Sequence, residues 1–130
     1  MSDKKRVILC VDDEMSVLET LQNQLKSIFN NKYLIELAES GEEAIEVIDD
    51  FVKDGYDPIL IITDWLMPGM KGDDFLVNIK DKENNAIKIL LTGHAPEESV
   101  ERAFKEGGLH HYVSKPWSKE DLEKKLVDIL

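Results

Sequence analysis

Two uninterrupted apolar runs, each ending in an acidic residue, constrain the fold of this chain more than any other feature. Residues 7–11 lead directly into Asp12, and residues 58–63, which are rich in isoleucine, lead into Asp64. Short apolar runs without polar alternation are typical of strands buried on both faces, as at the centre of a parallel sheet. The pattern therefore predicts two central strands that present carboxylates at the carboxyl edge, where open α/β sheets bind their ligands.

Strand and helix patterns alternate five times along the chain. The strand patterns cover residues 7–11, 33–38, 58–63, 87–92 and 110–113. After each strand, apolar residues recur at three- and four-residue steps, which indicates amphipathic helices. Short connections between alternating elements predict one domain, residues 1–130, with an α/β doubly wound parallel sheet of five strands. The flavodoxin-like order 2-1-3-4-5 would place the two most apolar strands at the centre of a three-layer sandwich.

The sequence also predicts how helices begin and which face each one buries. Ser40 and Glu43 have the spacing of a capping box at the start of the second helix. We expect Val52 on that helix, and Phe104 on the fourth helix, to face the core. Ile129 would complete the apolar stripe of the last helix.

Composition restricts the classes of partner and environment. The formal net charge is −11, from 27 acidic and 16 basic residues, which argues against binding to nucleic acid or to an anionic membrane surface. No apolar run approaches the roughly 18 residues of a membrane span. The single cysteine, Cys10, excludes an internal disulfide and is predicted to be buried in a strand. We therefore expect a cytoplasmic protein whose partners are other proteins or cations.

Polar side chains with complementary chemistry follow four of the five predicted strands. Because parallel strands point the same way, one edge of the sheet should collect Asp12, Asp13, Asp64, Thr92 and Lys115. Three clustered carboxylates repel one another unless a cation is present, and Mg²⁺, or Mn²⁺ in its place, prefers such oxygen ligands. One carboxylate could then attack phosphorus and form an acyl phosphate, whose oxygens the cation, Lys115 and Thr92 would hold. Asp64, on the central strand, is the predicted nucleophile.

Four motifs carry a resemblance to a known family. They are VDDE at residues 11–14, TDWLMPGMKG at 63–72, LTG at 91–93 and SKP at 114–116. With these motifs, the chain resembles the receiver domain of two-component response regulators over residues 7–130, which implies a chemotaxis-regulator-like fold. The resemblance implies that Asp64 is the phosphoacceptor and that a sensor histidine kinase or a phosphotransfer protein is the donor.

The resemblance also implies a ligand set for the cation. Asp13 and Asp64 would coordinate Mg²⁺ directly, together with the backbone carbonyl of Leu66. Asp12 would act mostly through water, and the hydroxyl and ammonium groups at the edge would hold the phosphoryl group.

In this family a switch threonine is paired with an aromatic residue, here Thr92 and Tyr112. When Thr92 moves towards the phosphoryl group, Tyr112 would turn inward and change the surface of the fourth helix, fifth strand and fifth helix. An output protein or domain would bind this surface, and a phosphorylation-dependent dimer would form through the same surface. A cis Lys115–Pro116 peptide bond is implied as well, and Trp117, if its ring is exposed, would be a further contact for a partner.

Two positions flank the access of water to the phosphoryl group. Leu66 lies two residues after Asp64, and His94 lies two residues after Thr92. We hypothesise that the Leu66 side chain shields the phosphoryl group from water and lengthens the phosphorylated lifetime.

Two alternatives stand beside the phosphorylated switch, which is a signalling module and not an enzyme. A Mg²⁺-dependent phosphohydrolase would also form an aspartyl phosphate. Such enzymes usually carry a second Asp two residues after the nucleophile as acid and base, and this chain has Leu66 there. A receiver-like scaffold that is never phosphorylated is the other alternative, although all the acidic, hydroxyl and lysine positions are intact.

Overall fold

In the computed structural model, which describes residues 5–82 and 85–127, five strands alternate with five helices. The strands are β1 (Lys5–Val11), β2 (Leu34–Ala38), β3 (Tyr56–Thr63), β4 (Ile87–Thr92) and β5 (His111–Ser114). The helices are α1 (Met15–Ile28), α2 (Gly41–Asp54), α3 (Gly72–Ile79), α4 (Glu97–Lys105) and α5 (Lys119–Val127). All neighbouring strands pair in parallel in the order β2-β1-β3-β4-β5, which confirms the predicted doubly wound sheet. Within these two ranges no helix has the length and apolar character needed to cross a membrane.

The register of the central strands aligns the ends that carry acidic residues. Val11, the last residue of β1, lies opposite Ala38 of β2 and Thr63 of β3. The ladder continues one residue further, because the Asp64 N–H donates to the Val11 carbonyl at 2.9 Å. The Asp12 N–H likewise donates to the Ala38 carbonyl at 3.1 Å. Backbone hydrogen bonds therefore fix both aspartates at the carboxyl edge.

Both faces of the sheet are covered, which explains the unbroken apolar runs. Val7, Leu9 and Val11 pack into a core with side chains of α2, α3 and α4. Ile8 and Cys10 point to the opposite face and pack with side chains of α1 and α5, because successive strand residues alternate sides. Cys10 is buried in the core, as predicted, and burial raises the pKa of its thiol to about 12.

The strand boundaries differ from the predicted ones by one or two residues. β1 begins at Lys5 and β3 at Tyr56. Both strands start two residues before the apolar runs, because Lys5 pairs with Tyr56 and the next residues of the two strands pair as well. β2 begins at Leu34, one residue later than predicted, and β5 is displaced by one residue to His111–Ser114.

Two helix residues that were predicted to face the core are exposed. Val52 in α2 is 62% exposed and Phe104 in α4 is 44% exposed. Each directly follows a buried residue, Phe51 or Ala103, and successive positions on an α-helix are rotated by about 100°. The preceding residue therefore takes the inward position. Ile129 lies outside the described residues.

Ser40 caps α2 as predicted. Its hydroxyl accepts a hydrogen bond from the Glu43 N–H at 3.0 Å. The Glu43 carboxylate accepts from the N–H of Glu39 at 3.4 Å and not from that of Ser40. Half of the predicted capping box is therefore present, and the other half is displaced by one residue.

Candidate functional site

Three carboxylates meet at the carboxyl edge of β1 and β3. Oxygen atoms of Asp12, Asp13 and Asp64 all lie within 4.8 Å of one another. Asp12 is 1% exposed and Asp64 is 5% exposed, whereas Asp13 is open to solvent. This set of hard oxygen ligands around one point matches the preference of Mg²⁺.

Lys115, which directly follows β5, holds the two buried carboxylates together. Its Nζ donates to Asp12 Oδ2 at 2.9 Å and to Asp64 Oδ2 at 3.3 Å. The other oxygen of each carboxylate accepts a hydrogen bond from a backbone N–H. The Glu14 N–H donates to Asp12 at 2.9 Å, and the Trp65 N–H donates to Asp64 at 2.7 Å. Each buried carboxylate is thus hydrogen-bonded through both oxygens, as a buried charge requires.

The pKa values of the site reflect a balance between burial and pairing. Burial raises the pKa of Asp12 above its ordinary value, and the charge of Asp64 adds to this effect. The hydrogen bonds from Glu14 and Lys115 only partly offset the rise. Burial alone would lower the pKa of Lys115, but its hydrogen bond to Asp12 and the nearby negative charges outweigh burial and raise it. Lys115 therefore stays charged throughout the physiological range.

Thr92 and Tyr112 are in direct contact next to this cluster. Thr92 is 2% exposed at the end of β4, opposite Ser114 of β5. The Tyr112 hydroxyl, on a half-buried side chain, donates to the backbone carbonyl of Thr92 at 3.3 Å. The same carbonyl accepts from the Lys115 N–H at 3.1 Å. The predicted switch pair is therefore joined to the residue that holds the carboxylates.

The loop after β5 contains a cis peptide bond between Lys115 and Pro116, as the resemblance implies. Trp117, the next residue, is half-buried against the core that includes α1 and α5. Its indole Nε1 donates to Gln24 Oε1 in α1 at 2.7 Å. The Trp117 ring is therefore part of the packing, and its proposed role as an exposed contact is not supported.

Both residues predicted to flank the phosphoryl group have solvent-exposed side chains. Leu66, in the loop after Asp64, is 57% exposed. His94, in the loop after β4, is also exposed. Neither side chain is buried in the core, so each is free to face a group bound at the edge.

A sequence model of the response regulator receiver domain matches residues 8–127. The chain belongs to this family. It is a receiver domain of two-component signal transduction, and its five-stranded fold with the acidic cluster is the arrangement that its sequence motifs predicted.

Similar receivers occur both as nearly whole proteins and as parts of longer ones. Chemotaxis protein CheY-3 of Vibrio cholerae is 31% identical over 130 residues, which cover 98% of this chain and 93% of that protein. Hydrogenase transcriptional regulatory protein HoxA of Cupriavidus necator is 27% identical over 94% of this chain, and the chain spans only 23% of it.

Solved structures show the same fold. The signal receiver domain of an HD domain-containing protein from Pseudomonas fluorescens Pf-5 has a TM-score of 0.84 and 26% identity, covering 100% of this chain and 90% of that chain. The response regulator TrrA from Thermotoga maritima, in complex with Mg²⁺ and BeF, has a TM-score of 0.75 and 34% identity, covering 97% of this chain and 99% of that chain.

The loop after Asp64 is held by contacts that sequence reasoning did not identify. Trp65 donates from its indole Nε1 to Asp73 Oδ1 at 2.9 Å, and Asp73 is only 6% exposed. Nothing in the sequence distinguishes Asp73 from its neighbour Asp74, since both lie in the first turn of α3, directly after Gly72. Gly72 supports the same loop, because its N–H donates to the Trp65 carbonyl at 2.9 Å.

We predict that Gly72→Ala destabilises the receiver. A Cβ at this position would lie 2.3 Å from the Asp64 carbonyl oxygen and 2.8 Å from the Trp65 Cα, so the backbone of the site must move. Overpacking of this kind costs about 1–3 kcal/mol, which urea unfolding would measure.

Gly93→Ala is the matched control, because a Cβ there would meet Lys115 Cβ at an ordinary 3.8 Å. Equal unfolding free energies for the Gly72→Ala and Gly93→Ala variants would contradict the steric account.

Proposed function

We propose that this receiver accepts a phosphoryl group on Asp64 from a sensor histidine kinase or a phosphotransfer protein in the cytoplasm. The main support is the surroundings of Asp64, whose oxygens lie within 4.8 Å of those of Asp12 and Asp13 and 3.3 Å from the Lys115 ammonium. Preorganised charges of both signs around a carboxylate are what phosphoryl transfer requires, because its catalysis consists mainly of positioning and charge stabilisation.

The proposed transfer forms one bond and breaks one. A carboxylate oxygen of Asp64 attacks phosphorus, and the bond between phosphorus and the donor's imidazole nitrogen breaks with its electron pair left on nitrogen. The product is an acyl phosphate. Lys115, which bonds Asp12 and Asp64 in this structure, would turn an N–H towards one phosphoryl oxygen. The Thr92 hydroxyl would donate to another.

The donor atoms of the site fit Mg²⁺, and Mn²⁺ would accept the same ligands. Asp13, Asp64 and the backbone carbonyl of Leu66 would hold the ion, with Asp12 acting through water. When bound, the ion would supply positive charge that balances the carboxylates and the incoming phosphoryl oxygens. The complex of TrrA with Mg²⁺ and BeF supports this assignment by analogy.

We further propose that phosphorylation changes the surface formed by α4, β5 and α5. Among the residues of α4, Ala103 is the one that is buried, so the helix is weakly anchored in the core. Movement of the Thr92 side chain towards the phosphoryl group would open space beside Tyr112, whose ring would then turn inward. An output protein or domain, or a second copy of the receiver, would respond to the altered surface.

Phosphorylation of Asp64 is tested directly with acetyl phosphate and Mg²⁺. We expect the wild type to gain one labile phosphoryl group, detected by mass spectrometry of the intact protein, and Asp64→Asn to gain none. Asp57→Asn is the matched control, because Asp57 lies at the opposite end of the same strand, and it should be labelled like the wild type.

A wild type that takes up no labile phosphate would favour the unphosphorylated scaffold and contradict the proposal. Undiminished labelling of Asp64→Asn would contradict the assignment of the phosphoacceptor.

Leu66 is expected to slow hydrolysis of the acyl phosphate, since its side chain cannot hydrogen-bond water. We predict that Leu66→Asn speeds dephosphorylation by about fivefold, the value of one hydrogen bond that positions water. The measurement is the decay of labelled protein after acetyl phosphate is removed.

The control for this prediction is Leu34→Asn, at a 48%-exposed leucine of β2. It should decay at the wild-type rate, and an unchanged rate in Leu66→Asn would refute the shielding hypothesis.

A further inference from the structure

A chain of hydrogen bonds connects Asp64 to α4 by a route that does not include Thr92 or Tyr112. The Trp65 backbone N–H donates to Asp64 Oδ1 at 2.7 Å. The Trp65 indole Nε1 donates to Asp73 Oδ1, at the start of α3, at 2.9 Å. Arg102 of α4 donates from Nη1 to the other oxygen of Asp73 at 3.1 Å.

Asp73 is the buried member of this chain. Its side chain is 9% exposed, and both of its oxygens are hydrogen-bonded, one by the indole and one by the guanidinium. The other two carboxylates that pair with Arg102 are far more exposed, at 47% for Asp74 and 62% for Glu106. A buried carboxylate with two fixed donors restricts its partners more than an exposed ion pair does.

Further contacts hold the Trp65 residue in one place. Its carbonyl accepts from the Gly72 N–H at 2.9 Å, and a Cβ at Gly72 would lie 2.8 Å from the Trp65 Cα, so the two segments are in close contact. The Lys71 ammonium lies 5.4 Å from the centre of the indole ring. With the ring and the carbonyl both anchored, the direction of the Trp65 N–H is set, and this N–H holds Asp64 Oδ1.

We propose that Asp73 is a positioning residue for phosphorylation, which fixes Trp65 so that its backbone N–H orients the Asp64 carboxylate. Arg102 holds Asp73 from α4 and so ties the orientation of the phosphoacceptor to the position of that helix. This inference rests on the proposed role of Asp64. A purely structural role would make Asp73→Ala less stable but would leave the phosphorylation rate of the folded protein unchanged.

The matched variants are Asp73→Ala and Asp74→Ala. Each removes one carboxylate partner of Arg102 from the first turn of α3, but only Asp73 bonds to Trp65. We expect Asp73→Ala to lower the maximal rate of phosphorylation by acetyl phosphate at saturating Mg²⁺ by about fivefold, the value of one positioning hydrogen bond. Asp74→Ala should stay within about twofold of the wild type, as an exposed ion pair predicts.

Urea unfolding of the same variants separates positioning from stability. We expect the fivefold loss in rate to persist under conditions where circular dichroism shows each variant fully folded. Equal rates for the Asp73→Ala and Asp74→Ala variants, or a rate loss that disappears once the folded fraction is matched, would overturn the proposal.

Trp65→Phe supplies a second test, because it removes the indole N–H and keeps an aromatic ring. We expect this variant to be as slow as Asp73→Ala, and the double variant to be no slower than either single one. Rate losses that multiply in the double variant would show that the two residues act independently and would overturn the proposal.

Labelling of the wild type distinguishes a failure of the proposed phosphorylation of Asp64 from a failure of the positioning role of Asp73. A wild type that is not labelled on Asp64 overturns the proposed function and this inference with it. A wild type that is labelled, with Asp73→Ala as fast as Asp74→Ala, overturns the positioning role alone.

Discussion

The ammonium of Lys115, shared between Asp12 and Asp64, is the interaction on which the rest of the site depends. Two nearly buried carboxylates within 4.8 Å would repel each other strongly, and Lys115 compensates both at 2.9 and 3.3 Å. Asp12 and Lys115 are 103 residues apart in the sequence, so this compensation exists only once the whole sheet has formed. The site is therefore a product of the complete fold and not of any one segment.

The sheet assembles the site because each strand delivers one end to the same edge. This part of the structure could be predicted from the sequence, since the apolar runs before Asp12 and Asp64 specify central strands and parallel pairing then fixes where those residues lie. Thr92, the last residue of β4, and Lys115, directly after β5, lie at this edge by the same logic. The spacing of apolar residues predicted correctly that helices cover the sheet. It was wrong about the burial of Val52 and Phe104, because an adjacent buried residue occupies the inward position in each helix.

The network around Trp65 could not be predicted, because it depends on how α3 packs against α4. Asp73 and Asp74 are chemically identical neighbours, and only the placement of the helix buries one and leaves the other half-exposed. Arg102 lies about one turn before the end of α4, and nothing in the sequence indicated that it bonds to the network around Trp65. The network joins Asp64 to α4 through Trp65, Asp73 and Arg102, and the proposed switch of Thr92 and Tyr112 would supply a second route. A weakly anchored helix can respond to a change at the site without unfolding of the core.

The central claim is that a phosphoryl group forms an acyl phosphate on Asp64 and on no other carboxylate of the cluster. Borohydride reduces an acyl phosphate to an alcohol and so converts a phosphorylated aspartate into homoserine, which peptide mass spectrometry locates along the chain. After treatment with acetyl phosphate and Mg²⁺, the account predicts homoserine in place of Asp64 alone. Homoserine in place of Asp12 or Asp13, or a stable phosphoester on a hydroxyl residue such as Thr92, would contradict it.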